Sequence, residues 1–201
     1  MAEVFVIGKF GPNPYPHAVE VDVTSHGSFK DLSPFYLGPI TYECPHFGPL
    51  KCLRLENLWQ YCKVYPEHIA MIGDGRYTPL PQIHPQYYSW RNRGFAESRA
   101  TRYPMGKGKK PLFSLWGMQR LDYVKAKHKI YIPNYVDLAR RTKSYNTLYN
   151  WLVQGHDLVL RDFDGFDYIA QGKSLKDIAN DPTRSLGHGF VLAMMLKGEL
   201  P

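Results

Sequence analysis

The chain has no hydrophobic run long enough to cross a bilayer: the longest, Phe190 to Leu196, falls far short of the ~20 residues a spanning helix needs. No signal-peptide pattern opens it, so cytoplasmic, reducing surroundings are the expectation. Cysteine is scarce as well. The three present, Cys44, Cys52 and Cys62, make an odd number and exclude the even disulfide framework of a small secreted domain. Cys44, His46, Cys52 and Cys62 can be written as four zinc ligands, but no C-x2-C pair is present and no metal is expected. Internal repeats and low-complexity segments are missing too. Acidic residues are the minority sign, 18 against 25 Lys and Arg, for a net charge of +7.

What is there reads as globular. With 201 residues the chain suits one domain, residues 1–201, able to bury roughly 70% of its unfolded surface without a disulfide or metal. Composition agrees, at 44% hydrophobic and 21% charged. The 16 prolines and 17 glycines imply many shaped loops. The positive charge is concentrated. Between Arg91 and Lys129 lie eleven basic residues, against only Glu97 and Asp122. Such a segment attracts phosphates; the plain alternative is a solvated basic face.

Glu3 to Ile7 reads as a strand, broken by Gly11-Pro12-Asn13-Pro14. Ser33 to Ile40 reads as an ordered loop leading into a strand. Leu53 to Tyr65 is expected to be a helix, with Leu55, Leu58, Trp59 and Cys62 on its buried stripe. Glu67 to Trp90, rich in Pro, Gly and Tyr, reads as a long surface loop. Leu115 to Lys127 and Asn134 to Val153 are expected helices, the second with Tyr135, Leu138, Thr142, Tyr145, Tyr149 and Leu152 on one stripe. Asp157 to Leu160 reads as a buried strand. Gly189 to Lys197 is an apolar core helix that Gly198 ends. Helices dominate this reading, and the expected fold class is mostly α, or α+β, with short strands.

Two places can carry chemistry. On the first helix, Glu56, Gln60 and Lys63 are spaced by four and three, which puts them within about a 60° arc beside Trp59. A carboxylate, an amide and an amine in line make a catalytic ridge, or else the polar edge of an ordinary amphipathic helix. After the strand ending at Leu160, Asp162, Asp164 and Asp167 crowd one turn, a common position for a ligand-binding loop and equally for a plain acidic turn. The loop Met105 to Leu112 is glycine-spaced and basic without the Walker frame, so any hold on phosphate rests on backbone amides and lysines. Ser114, His128, His156 and His188 show no signature of a nucleophile triad, and none is assigned.

In order along the chain, these segments resemble the NADAR family. Leu32-Ser33-Pro34-Phe35-Tyr36-Leu37-Gly38-Pro39-Ile40 is similar to its F-S-N-F-x-x-x-P-I loop, with Pro34 where Asn is usual. Glu56, Trp59, Gln60 and Lys63 match the spacing of its S-E-x-x-F-Q-x-x-K helix. Lys110-Pro111-Leu112 followed by Trp116 resembles its K-P-L stretch. Asp162-Phe163-Asp164-Gly165 resembles its W-G-D-G turn, and Leu186-Gly187 through Lys197 its closing helix. The likeness is collinear from Leu32 to Lys197. The departures are the turn's missing Trp, the absent Asn before Leu-Gly, Lys197 in place of a terminal Arg, and an apparent insertion at Glu67 to Trp90.

The resemblance implies an N-glycosidase that cuts the C1'–N bond of a ribose-phosphate or ADP-ribosyl substrate, such as a ribosylamino-pyrimidine phosphate or ADP-ribosylated guanine in nucleic acid. On that reading Glu56 activates water or stabilises the ribosyl cation, and Asp164 binds ribose hydroxyls or takes the second acid–base role. Lys63 binds phosphate or acts as proton donor or transient amine nucleophile. Trp59 and Phe163 stack on the base or wall the pocket, with Gln60, Phe35 and Asp162 beside them. Lys107, Lys109, Lys110 and Lys197 bind phosphates, and no cofactor is required. The rival from another class is a non-catalytic protein that binds nucleic acid or ADP-ribose through the basic segment and its aromatics.

Overall fold

A computed structural model of the chain describes residues 2–44, 48–72 and 80–201. The strands are β1 (Val4–Gly8), β2 (Val19–Asp22), β3 (Ile40–Cys44), β4 (Gly48–Cys52), β5 (Lys63–Val64), β6 (Ile69–Ile72), β7 (Leu80–Ile83), β8 (Phe113–Trp116), β9 (Gln119–Leu121) and β10 (Leu158–Asp162). The helices are α1 (Leu55–Tyr61), α2 (Pro85–Ala96), α3 (Tyr123–Ala126), α4 (Ile132–Ala139), α5 (Lys143–Val153), α6 (Leu175–Asn180) and α7 (His188–Lys197). The architecture is α+β, with more strand than the sequence reading expected. No helix among the described residues is long and apolar enough to cross a membrane.

The sheet that matters for the site is parallel, in the order β1-β10-β2. β10 runs between its neighbours in the register Val4↔Leu158 to Gly8↔Asp162 on one side and Leu158↔Val19 to Arg161↔Asp22 on the other. A strand paired on both edges and covered by a helix reads as a continuous apolar run, and Leu158, Val159 and Leu160 are fully buried. The covering helix is α7, which packs on β1 and β10 and is buried from His188 to Leu196. It ends, as expected, on Gly198 in the left-handed conformation at φ 69°. The carboxyl ends of the three strands, Gly8, Asp22 and Asp162, therefore share one edge, where ligands bind in open parallel sheets.

The loop before β3 and the start of α1 are one unit. The Glu56 and Leu55 amides donate to the carbonyls of Pro34 (3.0 Å) and Leu37 (2.9 Å), so the loop supplies the helix with its first acceptors. Gly38 makes that approach possible: at φ 143°, a Cβ there would lie 2.3 Å from the Leu53 carbonyl oxygen. α1 is shorter than expected and stops at Tyr61. Lys63 and Val64 instead pair with Ser114 and Phe113, because the Cys62 and Val64 carbonyls accept from Leu115 and Leu112 and draw the backbone into the β5-β8-β9 sheet.

Three further expectations change. Residues 73–79 lie outside the described ones; the rest of Glu67 to Trp90, expected as loop, is mainly the antiparallel pair β6–β7 and the start of α2. Pro85 sits in the first turn of α2, where it needs no amide donor, and the His84 ring accepts from the Gln86 amide. Leu115 to Lys127 is mainly the β8–β9 hairpin, turned at Gly117 with φ 58°; only its end, α3, is helical, capped by Asp122. Asn134 to Val153 is broken into α4 and α5. Thr142, expected within the helix on the same stripe as Tyr145, is extended and accepts from the Tyr145 amide as the cap of α5. One buried cluster nevertheless runs from Val4 to Leu196.

Candidate active site

A cleft of ≈ 760 Å³ opens at the carboxyl edge of the parallel sheet. Its polar floor comes from four places in the chain: Glu56 and Gln60 on α1, Asp162 and Asp164 at the end of β10, His188 at the start of α7, and Tyr131. Tyr131 closes a π-helical turn, Lys127–Tyr131, between α3 and α4. Phe35, Trp59, Tyr103, Tyr123 and Phe163 provide aromatic walls, and residues 182–187 form one rim.

Glu56 is 7% exposed, in contrast to the polar helix edge expected for it. Burial raises its proton affinity above the ordinary carboxylate value, opposed by the Gln60 hydrogen bond and by the charges of Lys63, Arg102 and His188. The ridge is present as a hydrogen-bonded chain. Lys63 Nζ donates to Gln60 Oε1, and Gln60 Nε2 donates to Glu56 Oε1, each at 2.8 Å. Lys63 Nζ also lies 5.0 Å from the Trp59 ring centre. Burial pushes the Lys63 ammonium down to about 8, against the pull of Glu56.

Across the cleft, Asp164 also holds its proton more tightly than usual, through burial and the nearby Asp162 charge, with Arg102 and His188 opposing. Arg102 Nη2 donates to Asp164 Oδ2 at 3.2 Å. The placement of Arg102 follows from α1. The buried Asn57 side chain donates to the carbonyls of Glu97 and Arg99 and accepts from the Thr101 amide, which fixes the backbone just before Arg102. Asp162 Oδ2 accepts from the Gly189 amide (3.0 Å) at the start of α7, and its Oδ1 lies 3.3 Å from His188 Nδ1. The other ring nitrogen of His188 stands 2.7 Å from the Val23 carbonyl oxygen. The phenol of Tyr131 feels Glu56, Asp162 and Asp164 together; burial and these three charges hold its proton far above the usual phenol range.

Of the residues singled out from sequence, Glu56, Trp59, Gln60, Lys63, Phe35, Asp162, Phe163, Asp164 and Lys110 all line this cleft. Lys107, Lys109 and Lys197 do not. Lys109 is paired with Glu67. Lys197 pairs with Glu3 and Glu199 beside a second groove, because α7 runs away from the cleft and its last turn emerges on the opposite side. Asp167 is turned away as well and accepts from the Tyr15 hydroxyl. The basic segment is dispersed. Arg91 is 1% exposed and packed among the rings of Tyr42, Tyr87, Tyr88 and Phe95, while Lys127 is fully buried. Of the four residues that could be written as zinc ligands, His46 lies outside the described residues, and Cys52 and Cys62 are buried cysteines, the Cys52 thiol pushed up to about 12 by burial.

Sequence reasoning missed His188, Arg102, Tyr131 and the 182–187 rim. A signal for His188 was present in the glycines flanking it. A Cβ at Gly187 would meet Asp162 Oδ2 at 2.2 Å, and one at Gly189 would meet the Asp162 Cβ at 3.0 Å. The pair leaves room for a carboxylate that must sit against the helix start. No known family model matches the chain, and no match was found among curated proteins or solved structures.

Proposed function

We propose that the chain is an N-glycosidase of the NADAR type, cutting the C1'–N bond of a ribose-phosphate or ADP-ribosyl substrate. The observation that carries this reading is that Glu56 and Asp164, on separate elements, line one aromatic-walled cleft, with Arg102 paired to Asp164 and its charge acting on Glu56. Cleavage sends the bonding electrons to the base and leaves positive charge on the ribose ring. A carboxylate beside C1' opposes that charge, and a group that holds its proton near neutral pH can hand it to the departing base. Glu56 and Asp164 both have raised proton affinity, as paired carboxylates in glycoside hydrolysis require of the acid. Water then attacks C1' and gives up its proton to the carboxylate. Trp59 and Phe163 stack on the base, while Lys63, Arg102 and Lys110 offer charge to phosphate.

The test is base release, followed by chromatography, from ADP-ribosyl-guanine DNA, ADP-ribose conjugates and ribosylated pyrimidine phosphates. The parent protein releases free base from one of these, and Glu56→Gln and Asp164→Asn do not. Tight binding of ADP-ribose with no base released from any of them would replace the hydrolase by a binding module.

A further inference from the structure

Phe10 is the most exposed large apolar side chain among the described residues, at 86%. It stands on the turn after β1, and that turn is held stiffly. Gly11 N donates to the Gly8 carbonyl, and Arg161 Nη1 donates to the carbonyls of Gly8 (3.1 Å), Lys9 (3.3 Å) and Gly11 (2.8 Å). The rest of the same guanidinium is anchored on Glu20. The ring is therefore kept in water by a turn that three carbonyls and one partly buried arginine define. Its centre lies 6.0 Å from that of Phe163, inclined at 63°, and Phe163 lies 6.2 Å from His26 at 89°. Phe163 is 42% exposed, and neither phenylalanine belongs to a buried cluster.

Phe163 and His26 line the cleft, so Phe10 extends its aromatic wall outward onto the surface. An edge-to-face contact covers at most one face of one ring, and a pre-placed face costs little further ordering when a flat partner arrives. The cations on the same cleft are also paired with rings. The Arg102 guanidinium lies 5.5 Å from the Tyr103 ring centre, and that of Arg184 lies 4.5 Å from Phe166. Stacking faces alternating with cations suit unpaired bases on a phosphate backbone. A protein partner would call for a contiguous apolar patch of several hundred Å² or so, whereas these rings sit among carboxylates and arginines.

We propose that Phe10, Phe163 and His26 form a stacking platform for the base next to the one in the cleft, so that the ligand is a single-stranded nucleic acid rather than a free nucleotide. The proposal rests on the N-glycosidase reading only for what occupies the cleft; the platform is tested without turnover. The probe is a short, unmodified, fluorescently labelled single strand, compared by anisotropy with a strand of the same length built from abasic residues. The base-bearing strand binds, the abasic strand binds roughly 10- to 100-fold more weakly, and Phe10→Ala brings the first down to the second. Phe10→Trp restores binding, and thermal stability is unchanged because the ring is exposed. Equal binding of the two strands, equal binding by the parent and Phe10→Ala, or no binding at all overturns the platform. Base release from a free ADP-ribosyl guanosine separates the two ideas. Release that occurs while strand binding ignores Phe10 leaves the hydrolase and removes the platform; Phe10-dependent binding without any release does the reverse.

Discussion

Lys63 and Lys127 are both pushed down to about 8 by burial, yet they stand in unlike company. Lys63 heads a chain through Gln60 to Glu56, and every member of that chain borders the open cleft. Lys127 donates to the carbonyls of Ile178 (3.3 Å) and Asp181 (2.7 Å) beneath the Tyr123 ring. Those carbonyls end α6 and begin the 182–187 rim. The same rim is tied again by Tyr123, whose hydroxyl donates to the Arg184 carbonyl and accepts from the Leu186 amide. Desolvation lowers both lysines alike. One borders a titratable carboxylate and a cavity, where a proton can move; the other is held by two carbonyls and an aromatic ring, with the Asp181 charge opposing its desolvation, and serves to hold a loop. A perturbed proton affinity thus marks a functional group only together with its neighbours.

The sharpest way to break this comparison is Glu56→Gln. Gln keeps the shape and an acceptor but neither takes a proton nor opposes a ribosyl cation, so base release falls by about 10²–10⁴. The sign of the pH dependence of stability follows from the raised proton affinity. The folded chain holds the Glu56 proton more tightly than the unfolded one, so stability falls as pH climbs above the ordinary carboxylate value, and the Gln variant lacks that fall. Base release near the parent rate would remove Glu56 from the mechanism.

Lys127 gives the opposite slope. Its folded value of about 8 lies below the ordinary lysine value of 10.5, so the stabilising contribution is complete above 10.5 and is lost as pH falls through 8. Chemical denaturation across that window should show stability rising by as much as about 3 kcal/mol from this group. The rise should shrink by that amount in Lys127→Met, and an unchanged rise would mean that the lysine is not desolvated.

At neutral pH, Lys127→Met also leaves two carbonyls without their donor, at about 1–3 kcal/mol for each unmet group. Loosening the rim raises KM with kcat nearly unchanged, while Lys63→Met lowers kcat with little change in stability. If the two variants shift the same kinetic constant, the comparison between the lysines fails. The smallest effect belongs to Lys197→Ala. Its partners Glu3 and Glu199 are about half exposed, so the pairs contribute about 0.2–1 kcal/mol. Substrate affinity should not move at all, and a fall in affinity would return Lys197 to the phosphate-binding set.

Much of the local order could be read in advance. β1, β10 and α7 are short apolar runs bounded by glycine, and each forms close to its expected place. The ridge was legible because Glu56, Gln60 and Lys63 follow the helical repeat, and the hydrogen bonds along it join residues four and three apart. The lengths of the elements were less legible. Helical spacing continues past Tyr61 into Lys63 and Val64, but nothing in that spacing shows that Phe113 and Ser114 will pair with them. The stripe through Thr142 looked continuous because a capping threonine and one inside a helix are the same letter.

By itself, the sequence determined which residues are neighbours on one element, where glycine must end a helix or admit a close approach, and that Glu56 and Asp164 belong to two separate segments. Only the tertiary structure decided that those segments share a cleft, that Arg102 joins them there while Arg91 is buried among rings, and that Lys110 faces the cavity while Lys197 does not. The reason is directional. A count of charges or a helical period fixes spacing along the chain, but burial and the sense of an electrostatic shift depend on side chains far away in sequence. Asn57 shows this most simply: one buried amide, unremarked in the sequence, holds the backbone of residues 97–101, next to Arg102 in its pairing with Asp164.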